Sequence, residues 1–349
     1  MPASPMLRLN LQRVARFALF GLGVGGLMGY VNFLIVDAQP AANILWGLLA
    51  GFMIGSTIGA TEVFVFFGRM RRMSFRRLSI ARVGVYTATL SVWITAANAY
   101  RLAGARSTTM IEAAGFYVFD GPFKRDFLLV TVASLLFIWI LQASQLQRGR
   151  DVLNFILGRY HTPQESEMVF LFVDLTASTS IAEDLGHLRY SAFLQDFFFD
   201  LNIAVLPWRG VVYQYVGDQV IIVWPWQAAT DNARCVECFF AMLDTVEANR
   251  ERYIESYGIC PRFKGGLHGG TAVVTWVGEI KKEIVYHGDV LNTAARIQHH
   301  AKENPYPCVA SGELLENLTL PAGYSATDVG EVVLKGKEGA LALCGLDRP

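Results

Sequence analysis

Two aspartates stand where a divalent cation could be held. Asp174 ends an almost wholly apolar run, residues 168–173, and Asp218 follows Gly217 in a tight turn between two apolar runs, residues 211–216 and 219–224. If those runs are neighbouring strands, both carboxylates reach one edge of a sheet. Mg²⁺ is commonly held by one or two carboxylates together with substrate phosphates, and a pair of metal ions can activate an attacking oxygen while stabilising a leaving one. After Asp174 come Leu175, Thr176, Ala177, Ser178, Thr179 and Ser180, a small hydroxyl-rich turn that opens a helix. Free backbone N–H groups and the positive end of the helix dipole suit a triphosphate there. Alone, either aspartate reads as a turn or cap residue; the pair beside such a turn reads as a metal and phosphate site.

The elements that must position them follow from the pattern. Residues 168–173 read as a buried strand, 181–206 as mostly helix, and 211–216 with 219–224 as a hairpin. A second helix covers residues 232–257, then strands fall at 262–268, 272–277 and 283–286, and a helix at 289–301. Strand, helix, hairpin, helix, strand is the order of a ferredoxin-like α+β sheet. The five cysteines all lie in this half, and their odd number without framework spacing fits a reducing cytosol. Cys235 and Cys238 form a CxxC inside a helical stretch with no second ligand pair nearby, so a metal or redox role is not expected of them.

The first half is different in kind. Apolar residues make up 53% of the 349-residue chain, and the charged residues crowd into the second half. Four apolar stretches, residues 17–36, 44–67, 83–100 and 127–146, approach the ~20 residues a membrane-crossing helix needs. The loop between the second and third holds Arg69, Arg71, Arg72, Arg76, Arg77 and Arg82, whereas the first loop has no Lys or Arg. The positive-inside rule then places both termini in the cytoplasm. Residues 101–126 are expected as a long outer loop. Glu62, a carboxylate within the second span, is a functional candidate by default. Leu146, Gly149, Leu153, Ile156 and Tyr160 alternate in steps of three and four, the spacing of a short coiled coil or an amphipathic connecting helix. A formal net charge of zero gives no reason to expect nucleic-acid binding.

In its second half the chain resembles the class III adenylyl and guanylyl cyclases. The resemblance rests on Phe172, Val173, Asp174, Leu175, Ser178 and Thr179; on Val216, Gly217 and Asp218; on Gly266, Leu267, His268 and Gly270; and on Gly288, Asp289 and Leu291 through Ile297. It implies that Asp174 and Asp218, with the carbonyl of Leu175, bind two Mg²⁺ or Mn²⁺ ions. It further implies that Asn292 and Arg296, four apart on one helix face, stabilise the transition state, and that Lys335 binds the triphosphate, with Lys337 as its alternative. His268 reads as structural. Paired catalytic domains in such cyclases share their sites, so one domain carrying both halves implies a homodimer with two sites.

The resemblance departs where the base is read. Gln214 stands four before Asp218, where an adenine-selecting lysine is usual, and Val285 stands three before Gly288, where Asp or Thr is common; Lys281, Lys282 and Glu283 lie close by. Gln can hydrogen-bond either purine. ATP is the expectation because most members resembling this chain are adenylyl cyclases; a guanylate cyclase, or a nucleotide-binding membrane sensor with little turnover, is the alternative. The layout expected is a four-helix transmembrane domain (1–146), a connecting helix (147–164) and a cyclase catalytic domain (165–349), in the plasma (inner) membrane, converting ATP to 3',5'-cyclic AMP and pyrophosphate.

Overall fold

The computed structural model describes residues 5–36, 40–66, 75–146, 162–278, 283–333 and 340–348. The chain divides into two compact units, Met1–Val152 and Leu153–Pro349. The first is helical: α1 (Pro5–Val36), α2 (Pro40–Thr61) running on into a π-helical turn (Glu62–Phe66), α3 (Phe75–Arg106), α4 (Met110–Phe119) and α5 (Phe123–Leu146). Among the described residues two stretches, Ile44–Phe66 and Arg76–Gly104, are long and apolar enough to cross a membrane. They match the second of the four stretches read from sequence as far as Phe66 and contain the third.

Glycines at every fourth position let α1 and α2 meet backbone to backbone, antiparallel. A Cβ added at Gly21, Gly25, Gly47 or Gly51 would fall 2.0–2.2 Å from a carbonyl oxygen of the facing helix, so only glycine permits this approach, the small-residue packing favoured between helices in lipid. Glu62 is answered inside the unit. Arg82 Nη2 donates to its Oε1 at 2.5 Å and the Tyr86 hydroxyl to its Oε2 at 2.5 Å, and the Arg82 guanidinium also lies 5.5 Å from the Phe66 ring centroid.

Residues 101–126 are not the loop expected. α3 continues to Arg106 and α4 fills most of the remainder. The cause is a capping box: the Thr109 side chain accepts from the Glu112 N–H while Glu112 accepts from the Thr109 N–H. Arg106 stacks over Phe116 at 3.8 Å, and the Tyr117 hydroxyl donates to Asp126 at 2.7 Å, which ties α4 to α5. The connector expected at 147–164 falls largely outside the described residues.

The second unit is built on one mixed sheet. Its elements are β1 (Gln164–Leu175), α6 (Ser178–Val205), β2 (Val211–Val216), β3 (Gln219–Pro225), α7 (Arg234–Ala248), α8 (Arg250–Tyr257), β4 (Phe263–Val277), β5 (Glu283–His287), α9 (Asp289–Glu303), β6 (Cys308–Ser311), β7 (Ser325–Val333) and β8 (Ala340–Asp347). The strand order is β2-β3-β1-β4-β6-β8-β7, with β5 pairing β4. Its first four strands, mutually antiparallel, are the ferredoxin-like arrangement read from sequence.

Strand alternation sorts the core into two layers. Val169, Leu171 and Val173 face α6 and α7, packing with Phe193, Phe197, Phe239 and Met242. Met168, Phe170 and Phe172 face the other way, with Ile221, Val223, Val290 and Ala294. Burying each such side chain contributes roughly 1.5–3 kcal/mol. Several boundaries differ from expectation; β1, for one, starts at Gln164, ahead of the run at 168–173. The helix over 232–257 is broken at Asn249 into α7 and α8. The strands at 262–268 and 272–277 are one, because Gly269 and Gly270 are there for close packing and not for a turn: a Cβ at Gly269 would meet the Trp226 ring at 2.5 Å.

Candidate active site

The register places the two aspartates at one end of the sheet. Asp174, the penultimate residue of β1, pairs across to Gln219 of β3, and Asp218 immediately precedes Gln219 in the hairpin turn. Gly217 there has φ +62°, the left-handed conformation a tight hairpin demands. Asp174 is only 7% exposed, and Asp218 is half-buried. Both carboxylates bear on the Tyr190 phenol of α6. Burial raises its pKa, Asp218 and then Asp174 raise it further, and a hydrogen bond with Ser178 opposes them.

The turn after Asp174 is held by the Thr176 N–H donating to the Arg262 carbonyl at 2.7 Å. Ala177 takes a left-handed φ of +57° and caps α6 without a side-chain hydrogen bond, so the first-turn N–H groups of α6 have no side-chain cap. Thr176 and Thr179 are exposed and Ser178 half-buried. A cleft of about 960 Å³ opens behind this turn, lined by Thr176, Ala177, Cys260, Arg262 and Lys264 among others; neither Asp174 nor Asp218 lines it.

Asn292 and Arg296 are exposed on α9, while Thr293, Ala294, Ile297 and Gln298 on its other face are buried. α9 lies very close to the sheet because β4 offers Gly266, where a Cβ would come 2.3 Å from the Gln298 nitrogen. The last turn of α9 returns to the aspartates: the Lys302 ammonium pairs with Asp174 Oδ2. Arg296 and Asn292 lie about 9 and 15 Å before Lys302 along the helix axis at 1.5 Å per residue.

Gln214 and Val285 are not brought together. β2 has a bulge between Val212 and Gln214, and Gln214 pairs Ile221, on the α9 face; Val285 pairs Thr275, whose side chain points to the opposite face. On the α9 face Tyr213 and Tyr286 meet instead, edge to face with ring centroids 4.9 Å apart. His268 is buried, with Nδ1 2.8 Å from the Ser311 hydroxyl, a structural setting. Cys235 and Cys238 are fully buried free thiols, and burial pushes Cys235 up to about 12. Lys335, Lys337, Lys281 and Lys282 lie outside the described residues.

A model of the adenylate and guanylate cyclase catalytic domain matches residues 161–343. The chain belongs to this family. Among its relatives, adenylate cyclase 2 of Rhizobium meliloti (strain 1021) is 39% identical over 210 residues, covering 60% of this chain and 58% of that protein. The adenylate cyclase of Anabaena cylindrica is 26% identical over 181 residues, covering 50% and 36%. The chain thus spans less than two thirds of these curated relatives. The solved structure of a bacterial light-regulated adenylyl cyclase superposes with a TM-score of 0.53 at 16% identity, over 63% of this chain and 65% of that one, a likeness of fold.

The donor set of this cyclase domain fits a hard divalent cation. Among the described residues no group of three or more His, Cys, Asp or Glu could hold a metal unaided; two carboxylates at one strand end, completed by phosphate oxygens, are an arrangement Mg²⁺ accepts. Tyr190 and Lys302 join the aspartates as neighbours that their sequence positions do not announce. Tyr190 carried no signal, being one aromatic among many in a helix. Lys302, six residues past Arg296, stands one residue beyond the helix read over 289–301 and carried no mark of its own.

Proposed function

We propose that the chain is a membrane-bound adenylate cyclase that converts ATP to 3',5'-cyclic AMP and pyrophosphate in a homodimer. The observation that carries this reading is the placing of Asp174 and Asp218 at adjacent strand ends, beside a helix start without a side-chain cap. In this reading Asp174, Asp218 and the Leu175 carbonyl hold two Mg²⁺ or Mn²⁺ ions, which when bound lower the pKa of the attacking hydroxyl and neutralise charge on the phosphates. The N–H groups opening α6, with Thr176, Ser178 and Thr179, bind the triphosphate, as does Lys335. The 3' oxygen forms its bond to the α-phosphorus and gives up its proton to solvent, while the bond from that phosphorus to the bridging oxygen breaks and pyrophosphate leaves.

Asn292 and Arg296 of the second copy steady the charge that develops on the α-phosphoryl oxygens, a guanidinium being suited to it in both geometry and charge. The positions of these two residues on α9, exposed and about two and three turns away from the Asp174 end, support a site shared between two chains. Gln214 leaves the purine open, so GTP is the second substrate to test.

In the proposed layout residues 1–146 cross the membrane four times, through α1, α2, α3 and α5, with both termini cytoplasmic; 147–164 connect and 165–349 catalyse. Helices α1 and α5, with 32 and 24 residues, have the length for it. Both expose large apolar side chains, among them Leu19, Phe20, Leu27, Leu128, Leu136 and Trp139, as a lipid-facing surface would. The test is to supply the detergent-purified protein with Mg²⁺ or Mn²⁺ and either ATP or GTP and to quantify cyclic product and pyrophosphate. Cyclic AMP with equimolar pyrophosphate is expected; cyclic GMP alone would reassign the substrate, and no product from either would refute the proposal.

A further inference from the structure

Two lysines approach Asp174. Lys264 is its cross-strand neighbour on β4, yet its ammonium is turned to the end of α9, donating to the Ala301 carbonyl at 2.9 Å and to that of Asn304. Lys302 is the one whose ammonium reaches the Asp174 carboxylate, at Oδ2. The pair is asymmetric. The Asp174 side chain is 9% exposed and held by a strand paired on both sides, whereas the Lys302 side chain is 47% exposed, on the last turn of a helix. A four-carbon stem with one end in solvent can swing away at little cost, and the carboxylate cannot follow.

A divalent cation bound at Asp174 would draw on the same carboxylate that the Lys302 ammonium holds. An ammonium and a hard cation do not share one carboxylate oxygen at contact distance without strong repulsion. We propose that Lys302 is a tethered competitor of the divalent cation at Asp174: it neutralises the buried carboxylate, must be displaced for the ion to bind, and thereby weakens the site's affinity for metal. This rests on the reading of Asp174 as a metal carboxylate. It makes Lys302 a positioning residue, acting through Asp174 and not on the substrate.

The test is Mn²⁺ binding to the full-length protein in detergent without nucleotide, read from the electron paramagnetic resonance signal of the free hydrated ion. The proteins are the wild type, Lys302→Met, Lys302→Arg and Asp174→Ala, with thermal unfolding confirming that each is folded. Lys302→Met is expected to bind Mn²⁺ about five-fold more tightly, the size of effect a half-exposed ion pair supports. Lys302→Arg, which keeps the charge, should bind no more tightly than the wild type. Unchanged or weaker binding in Lys302→Met, with Asp174→Ala clearly weakened, would overturn the role of the lysine and leave the metal assignment standing. Full Mn²⁺ affinity in Asp174→Ala would overturn the metal assignment and this inference with it.

Discussion

Gly266 touches no proposed substrate group, yet its replacement by alanine tests the geometry of the whole site. A Cβ at Gly266 would lie 2.3 Å from the Gln298 nitrogen and 2.5 Å from its Cα, where ordinary contact begins at 3.4 Å. The obstacle is helix backbone, so α9 must retreat by about 1.1 Å, the difference between 3.4 and 2.3 Å. Overpacking of this kind costs roughly 1–3 kcal/mol, which for a domain of this size lowers the melting temperature by about 2–4 °C per kcal/mol. Catalysis should suffer more than stability. α9 carries Asn292, Arg296 and Lys302, and a displacement of about 1 Å from productive geometry costs on the order of 100-fold in rate. Gly266→Ala should therefore lower kcat about 100-fold while nucleotide binding, followed with a fluorescent ATP analogue, changes little. Full turnover at an unchanged melting temperature would refute the argument that α9 is seated on Gly266.

Three further outcomes follow from the same unit. Asp200 is 2% exposed, pairs with Arg252 and accepts from the Tyr253 hydroxyl at 2.7 Å; Asp200→Asn should destabilise by about 3 kcal/mol in denaturant unfolding, and a loss below about 0.5 kcal/mol would contradict the pairing. Ala177→Gly should relieve the left-handed strain at φ +57° and raise stability by about 1 kcal/mol; a lower melting temperature would count against it. Burial lifts the Cys235 thiol from 9.0 to about 12, and because the folded pKa lies above the unfolded one, its contribution to stability is complete below pH 9 and is lost as pH rises toward 12. Unfolding curves between those limits should show falling stability, and Cys235→Ala should show a shallower fall.

Much of the first half of the second unit was legible because its strands carry apolar runs bounded by turn residues or helices. The Gly217 and Asp218 pair fixed one hairpin, and once β1 was placed beside it the two aspartates had to share a strand end. What escaped depends on contacts across the sequence. Gly269 and Gly270 read as a strand break because a sequence does not show that Trp226 and Val290 pack on them. The faces of Gln214 and Val285 depend on a bulge in β2 and on the register of β5, neither of which spacing reveals. Lys302 was invisible as a partner of Asp174, since a side-chain pair separated by 128 positions has no local signature. In the first unit the missed signals were present: the Thr109 and Glu112 box starts α4, and the four-residue glycine spacing of α1 and α2 predicts their close packing.

A site divided between two copies of the chain can be tested by complementation. Asp174→Ala and Arg296→Ala, each inactive alone, are co-expressed, purified together and assayed for cyclic nucleotide. Random pairing of symmetric dimers makes half of them mixed, each with one site that has both Asp174 and the partner's Arg296. The prediction is about a quarter of wild-type activity from the mixture and none from either variant alone. A mixture as inactive as its components, beside an active wild type, would contradict it.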